Sequence, residues 1–210
     1  LVWTGSMNFT SNDAYRNNNN FIVIESTRLA ANYTAEFEEM WVDGSFGPTS
    51  PRNTPFPRLT VNGTPIEVYF SPEDEPVLRI LELLQGAQTS IHFLAFSFTS
   101  DEMGQAMSDR ASAGVEVSGI FDESQVDSNK DSSEYVRMNR SKKMDVRLDG
   151  NQYRQHSKVI IIDGQIVITG SYNFSRNAEE QNDENLIIFF SPELAAQYED
   201  EFQYLFSAGK

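Results

Sequence analysis

The chain has 210 residues, with 31 acidic and 16 basic side chains and a formal net charge of −15. It has no cysteine, which excludes disulfide bonds, thiolate metal sites and cysteine nucleophiles, and no apolar run approaches the ~20 residues of a membrane span. The acidic balance argues against tight nonspecific binding of nucleic acid, which needs lysine and arginine to displace counterions, but it does not exclude a local basic cleft.

The first segment of the chain repeats the last one. When Thr4–Trp41 is placed against Thr169–Phe206 without a gap, sixteen of 38 positions are identical. One constant offset over this length indicates a repeated structural unit rather than a short solenoid period. We call residues 4–41 the first repeat and residues 169–206 the second repeat.

Residues 44–65 have the composition of a linker. They contain five of the eight prolines and three glycines, and Val61-Asn62-Gly63-Thr64 is typical of a tight turn. We therefore predict that residues 1–43 are the C-terminal part of a first lobe. Residues 44–65 are predicted to be a linker, and residues 66–210 a second, complete lobe.

The second lobe alternates strand and helix patterns. Strands are predicted over 67–70, 90–98, 115–121, 146–148 and up to 190, and helices over 76–86, 101–113, 134–142 and 192–206. Residues 122–133 are polar and are expected to form a flexible loop. This alternation predicts an α/β sandwich with a mixed sheet flanked by helices.

Several residues of this lobe have alternative interpretations. His92 lies in the middle of a strand pattern, and we expect it to be buried or at an edge without a catalytic role. Phe96 and Phe98 could line a substrate cleft, although core packing is the commoner role. Asp122 follows a strand and is expected in a solvated loop.

A predicted hairpin follows, built around Asp163-Gly164. This pair is preferred in two-residue turns because glycine adopts positive φ at no steric cost. A two-residue turn would place His156 opposite Ser171 and Lys158 opposite Thr169. Because side chains alternate with period two, His156, Lys158 and Ser171 should then share one face.

That face collects groups suited to phosphate chemistry. Lys158, Ser171 and Asn173 can donate hydrogen bonds to phosphate oxygens, and His156 can attack phosphorus or protonate a leaving oxygen. Glu184 opens the next apolar run, where it could hold the imidazole in one tautomer. The group does not resemble a metal site, which needs several converging histidine or carboxylate ligands.

The spacing of these residues resembles a family signature. His156-x-Lys158, four residues, Asp163, six residues and Gly170-Ser171-x-Asn173 together resemble the motif of the phospholipase D superfamily. Glu184 is placed as in the small bacterial endonucleases of that superfamily. The resemblance covers residues 1–41 and roughly 65–207, and it implies a phospholipase D-like α/β sandwich.

The resemblance also implies a mechanism without metal or cofactor. One histidine attacks phosphorus to form a phosphohistidine, and a second histidine from the other copy of the motif protonates the leaving oxygen. His156 would be one of the two, with Glu184 as its orienting partner. Phosphate would be bound by Lys158, Ser171 and Asn173, and by Ser6 and Asn8 of the first repeat. The motif positions expected to have a structural role are Asp163, Gly164, Gly170 and Gly5.

The substrate and the second half-site stay open at this point. A nucleic acid is the favoured phosphodiester substrate, phospholipid head groups are the alternative, and a non-catalytic phosphodiester-binding module is a third possibility. The third rests on Asn19, which stands where the second repeat has Glu184, and on the strand of a first His-x-Lys, which would precede residue 1. We expect that strand from a preceding segment, a separate chain or a second copy. No stable membrane insertion is expected, and the sequence indicates no compartment.

Overall fold

A computed structural model describes all residues from 1 to 210. The first repeat forms a small unit with a two-stranded antiparallel sheet. Its elements are β1 (Val2–Gly5), α1 (Ser11–Tyr15), β2 (Phe21–Ile24) and α2 (Thr27–Glu38), which continues as a π-helical turn over Glu39–Asp43. The Ser26 hydroxyl starts α2 by accepting a hydrogen bond from the N–H of Leu29, which satisfies one of the free amides of the first turn.

The rest of the chain forms an eight-stranded mixed sheet with helices on its faces. After a 3₁₀ turn at Gly47–Thr49, its elements in chain order are β3 (Arg58–Val61), β4 (Thr64–Ser71), α3 (Pro76–Gly86), β5 (Ser90–Ala95), α4 (Asp101–Ser112), β6 (Glu116–Phe121), α5 (Glu123–Ser128), α6 (Glu134–Asn139), β7 (Met144–Leu148), β8 (Lys158–Ile162), β9 (Ile166–Gly170), α7 (Arg176–Glu180), β10 (Glu184–Phe190) and α8 (Pro192–Ala208). The strand order is β3-β4-β10-β9-β8-β5-β6-β7. Strands β5, β6 and β7 are parallel to one another and the other neighbouring pairs are antiparallel, so the predicted α/β class with a mixed sheet is confirmed.

Strand β8 lies in the middle of the sheet, and all five of its residues are buried. Alternate side chains enter two separate cores, because a strand directs successive side chains to opposite faces. Ile160 and Ile162 pack in the core that includes residues of α3, α4 and α6, whereas Val159 and Ile161 pack in the core that includes Phe202 of α8. None of the helices combines the length and apolar character needed to cross a bilayer.

Two segments differ from their predicted conformation. The polar stretch after β6 is partly helical, because the Asp122 carboxylate caps α5 by accepting a hydrogen bond from the N–H of Gln125. The second half of the predicted linker forms β3, which pairs with β4 through the expected turn at Asn62-Gly63, where both residues have positive φ.

The predicted hairpin register is wrong by one residue. Strands β8 and β9 pair Val159 with Thr169 and Ile162 with Ile166, so the loop has three residues, 163–165. Asp163 and Gly164 adopt positive φ as the turn requires, but Gln165 closes it by donating its N–H to the carbonyl of Ile162 (3.0 Å) instead of entering the ladder. In this register Lys158 does not pair with Thr169, and His156 lies before the start of β8.

Candidate active site

The two repeats pack against each other through reciprocal hydrogen bonds. Thr4 of the first repeat donates from Oγ1 to Oδ1 of Asn185 (2.6 Å), and Asn20 donates from Nδ2 to Oγ1 of Thr169 (2.7 Å). Thr4 aligns with Thr169, and Asn20 aligns with Asn185, so each contact is the counterpart of the other. The same exchange includes the aligned tyrosines of α2 and α8, Tyr33 and Tyr198. The repeats are therefore related by an approximate twofold arrangement.

This packing brings the first repeat to the segment that carries the histidine. Asn18 donates its N–H to the carbonyl of Arg154 and accepts the N–H of His156, both at 2.9 Å. Gln155 and Asn18 form an isolated parallel β-bridge. The backbone before β8 is thus held by the first repeat, and this fixes the position of the imidazole.

The His156 ring is held at both nitrogens. Nδ1 lies 2.9 Å from Oδ1 of Asn19, whose own Nδ2 donates to the carbonyl of Asp13 (2.9 Å). The amide of Asn19 therefore presents its oxygen to the ring, and this network assigns the proton of a neutral His156 to Nδ1. Nε2 keeps its lone pair and lies 3.1 Å from Nζ of Lys158.

Lys158 is a buried cation next to that lone pair. Its side chain is 4% exposed, and Nζ donates to the carbonyl of His156 (2.7 Å) and lies 4.6 Å from the ring centroid of Phe96. Burial lowers the pKa of Lys158 to about 7, against the opposing charges of Glu184 and Asp13. An anion bound here would supply the charge compensation that burial withholds.

The imidazole is also disfavoured in its charged form. Burial lowers the pKa of His156, and the nearby Lys158 lowers it further, while the charge of Asp13 opposes both effects. The ring of Phe96 packs against the imidazole with 4.6 Å between centroids. A neutral imidazole whose Nε2 carries no proton is the form that can attack an electrophile.

The two motif serines hydrogen-bond within their own repeats. Oγ of Ser171 accepts from the N–H and Nδ2 of Asn185 (3.0 and 3.1 Å), and Oγ of Ser6 accepts from the N–H of Asn20 (3.1 Å) and donates to its Oδ1 (3.0 Å). Burial raises the pKa of Glu184, and a hydrogen bond from the Ser171 hydroxyl opposes that rise, so the hydroxyl protons of Ser171 and Ser6 both have acceptors.

The motif asparagines differ in their surroundings. Oδ1 of Asn173 is closed to solvent and has no hydrogen-bond partner. Asn8, at the aligned position of the first repeat, is exposed, and its N–H donates to Oδ2 of Asp13 (2.9 Å). Neither asparagine is hydrogen-bonded to His156 or Lys158, so their predicted contacts with phosphate stay predictions.

Close backbone packing explains the motif glycines. A Cβ on Gly170 would lie 2.2 Å from the carbonyl oxygen of Asn185, and a Cβ on Gly5 would lie 2.3 Å from that of Asn20; both glycines have φ near +140°.

Asp163 has a structural position as well. Its carboxylate accepts hydrogen bonds from the backbone N–H groups of residues 88, 89 and 90, which join the β8–β9 turn to the start of β5.

The predicted pairing of Glu184 with His156 is wrong, because Asn19 of the first repeat occupies Nδ1. Glu184 starts β10 and accepts a hydrogen bond from Nδ2 of Asn182 (3.2 Å). The physical reason is the approximate twofold packing, in which each repeat contributes to its counterpart. Asn19 and Glu184 are aligned residues, and this alignment is the signal that could have indicated a contact between the repeats.

Sequence reasoning also underestimated two residues near the site. Asp122 is not in a solvated loop; it is 1% exposed, and its Oδ2 accepts the N–H of Gln155 (3.0 Å). Phe96 lies against the imidazole, whereas Phe98 is in the core as expected. His92 is buried, and its Nδ1 pairs with Oε2 of Glu199 (2.7 Å) and not with any residue around His156.

The comparisons with known proteins identify the family and the fold of the chain. The family model described as "Cardiolipin synthase, PLD-like domain" matches residues 1–41 and 80–206. A phospholipase D from Rickettsia bellii is 32% identical over 133 residues, which cover 63% of this chain and 65% of that protein. A mitochondrial cardiolipin hydrolase from Chlamydomonas reinhardtii is 28% identical over 132 residues, which cover 63% of this chain and 58% of that protein. The chain thus spans less than two thirds of the length of these relatives.

A solved structure shows the same fold. Nuc from Salmonella typhimurium, described as a phospholipase D family member, superimposes with a TM-score of 0.63 at 32% identity, over 69% of this chain and 95% of that one. The family model covers most of the chain, including both repeats and the histidine-bearing hairpin. On these grounds the chain belongs to the phospholipase D superfamily.

Proposed function

We propose that this chain is a metal-independent phosphodiesterase that contributes one half of a two-histidine active site, with nucleic acid as its favoured substrate. The observation that carries the proposal is the environment of His156. Its Nδ1 is fixed by Asn19, its Nε2 lone pair is free of a proton, and Nζ of the buried Lys158 lies 3.1 Å away. These groups suit attack on a phosphodiester, whose oxygens would compensate the positive charge of the Lys158 ammonium.

In the proposed reaction, Nε2 of His156 forms a bond to phosphorus while the bond from phosphorus to the leaving oxygen breaks. A second histidine gives its proton to that oxygen, and then takes a proton from the water that cleaves the phosphohistidine. The roles of the two histidines are interchangeable in this scheme. Lys158 and the Ser171 hydroxyl would donate to the phosphoryl oxygens, with Asn173 beside them.

The second histidine has to come from another motif-bearing lobe. The chain has two histidines, and the other one, His92, is buried against Glu199. Since Asn19 of the first repeat holds His156, we infer that the aligned Glu184 would hold the histidine of the partner lobe. Glu184 would then be a positioning residue for a group in trans rather than for His156.

We infer that this lobe packs on the surface of the first repeat. Three apolar residues in or directly before the first repeat are exposed at positions whose aligned counterparts lie in the core of the second repeat. The exposed fractions are 59% for Trp3, 51% for Val23 and 56% for Phe37, compared with 1% for Ile168 and 0% for both Ile188 and Phe202. Burial of such residues is the main favourable term in association. A preceding segment, a separate chain or a second copy could provide the cover.

An aromatic and basic rim favours nucleic acid. Tyr153, three residues before His156, is 42% exposed, and the guanidinium of Arg16 lies 5.2 Å from its ring centroid. The neighbouring Arg154 is partly exposed at the same edge. Exposed aromatic rings stack on bases and arginines contact the backbone, which is the usual arrangement for single-stranded nucleic acid.

Phospholipid head groups are the second candidate. Phe9, which precedes α1, and Tyr15, the last residue of α1, are 90% and 86% exposed, and such side chains can enter a lipid interface. The relatives named phospholipase D and mitochondrial cardiolipin hydrolase point the same way.

The test is a cleavage panel run with and without EDTA, using single- and double-stranded DNA, RNA and phosphatidylcholine vesicles. We expect EDTA-resistant cleavage of single-stranded nucleic acid that is abolished in His156→Ala. His92→Gln is the matched control, because it removes the other histidine, and circular dichroism verifies the fold of both variants.

Each other result has a defined meaning. Cleavage of phosphatidylcholine alone would favour the phospholipid alternative, and binding without any cleavage would favour the non-catalytic module. Wild-type activity in His156→Ala would overturn the assignment of His156.

A further inference from the structure

Three glutamates from different parts of the chain converge away from the histidine. Glu36 lies near the end of α2, Glu39 in the π-helical turn, and Glu73 in the turn after β4. One carboxylate oxygen from each lies within 4.8 Å of the other two. The cluster therefore joins the first repeat to the large sheet.

These carboxylates are buried without compensating cations. Glu39 is 2% exposed and Glu36 is 8% exposed, while Glu73 is half-buried. No lysine or arginine forms an ion pair with any of the three glutamates. The nearby Arg52 pairs instead with Asp74 (3.6 Å) and Glu75 (3.7 Å). Burial of unpaired charge is strongly unfavourable, so the charge of the cluster has to be compensated by a cation or removed by protonation.

The hydrogen bonding of the cluster is also incomplete. Oε2 of Glu39 accepts from Nδ2 of Asn53 (3.1 Å), but its Oε1 is closed to solvent and has no partner. Oε2 of Glu73 is in the same condition. Two buried carboxylate oxygens thus lie in one cluster with unused lone pairs.

The second repeat has no such cluster. The residues aligned with Glu36 and Glu39 are Glu201 and Tyr204, and both are exposed on α8. In the first repeat, the equivalent face of α2 is covered, because the side chain of Asn32 on that face bonds to the backbone of Phe56 through both its Oδ1 and its Nδ2 (2.8 Å each). The buried glutamates are therefore a specific feature of the first repeat.

We propose that Glu36, Glu39 and Glu73 bind one Ca²⁺-like divalent cation that fastens the first repeat to the large sheet. The ligand set is all oxygen, which disfavours zinc and other metals that prefer nitrogen or sulfur. Three oxygens within 4.8 Å of one another can contact one cation, and Ca²⁺ takes 6–8 oxygen ligands at about 2.3–2.6 Å in flexible geometry, whereas Mg²⁺ demands a near-ideal octahedron. The cation has a structural role and takes no part in the chemistry at His156.

A shared proton is the competing occupant. Without a cation, burial and the neighbouring carboxylates raise the pKa of Glu36 to about 8, and burial, with Asp74 and Glu39 nearby, raises the pKa of Glu73 to about 7. Protons and metal would therefore compete near neutral pH, and the experiment has to separate them.

The test measures thermal unfolding and direct Ca²⁺ binding on the whole chain after removal of metal with EDTA. At about 100 times its Kd, Ca²⁺ should raise the Tm by about 5–10 °C, and calorimetry should show one ion per chain. Glu39→Gln should lose both effects. Glu38→Gln is the matched control, because Glu38 is the exposed neighbour on the same helix.

Glu73→Gln serves as a second variant if Glu39→Gln fails to fold. Absence of Ca²⁺ binding in the wild-type chain at neutral pH would overturn the proposal in favour of a shared proton. Unchanged binding in the glutamine variants would also overturn it. Neither readout depends on phosphodiesterase activity, so failure of the cation site and failure of the proposed reaction are distinguishable.

Discussion

The contact between Asn19 and His156 supports a quantitative prediction. Asn19→Asp replaces the amide oxygen 2.9 Å from Nδ1 with a carboxylate of almost the same shape. An opposite charge at this distance raises a histidine pKa by about 1–3 units, which corresponds to about 1.4–4 kcal/mol. The lost hydrogen bond from Nδ2 of Asn19 to the carbonyl of Asp13 opposes the change. We therefore expect a rise of about 1 unit in the pKa of His156.

The assay is a pH titration of the histidine ring signals by NMR. The chain has two histidines, so His92 serves as an internal reference. Asn139→Asp, at an exposed position, is the control for the added charge. A shift of His156 no larger than in the Asn139→Asp variant would refute the reasoning, because it would mean that Asn19 is not the partner of Nδ1.

Two further predictions concern stability. Burial raises the pKa of Asp163, but the hydrogen bonds that it accepts outweigh burial and bring the pKa below 3.8, so its contribution is present above that pH and is lost as the pH falls through the folded pKa. Because asparagine also tolerates the left-handed turn conformation, Asp163→Asn should cost about 1–3 kcal/mol in urea unfolding at pH 7. The difference from wild type should shrink as the pH falls below 3.8, and a pH-independent difference would contradict this. Gly119→Ala should cost about 1–3 kcal/mol or more, because its Cβ would lie 2.1 Å from the buried ring of Phe93, whereas Gly86→Ala, with no atom within 4 Å, should be neutral or slightly stabilising; equal effects in the two variants would contradict the packing argument.

Local patterns were sufficient for much of the second lobe. Helix α3 spans Pro76–Gly86 as predicted, because proline at the first turn and glycine at the end are local signals. The α/β class followed from the alternation of strand and helix patterns. The short helix α5 was missed because its start depends on a single capping carboxylate, Asp122.

The site was less predictable, since its contacts cross between distant segments. The motif spacing singled out His156 and Lys158, which the structure places side by side. The prediction of the hairpin register failed because the additional turn residue, Gln165, has no distinctive sequence signal. The prediction of the partner of His156 failed because Asn19 is 137 residues away in the sequence. Only the packing of the two repeats brings Asn19 to the imidazole.

The two-stranded sheet of the first repeat has a practical consequence. In the second repeat, the aligned strands β9 and β10 are flanked by β8 and β4, whereas β1 and β2 pair only with each other. Unpaired strand edges beside exposed Trp3 and Val23 are templates for edge-to-edge aggregation. At high concentration a chain without its proposed partner lobe should therefore associate through these edges, and a charged substitution on β1 should weaken that aggregation and the packing of the partner lobe alike.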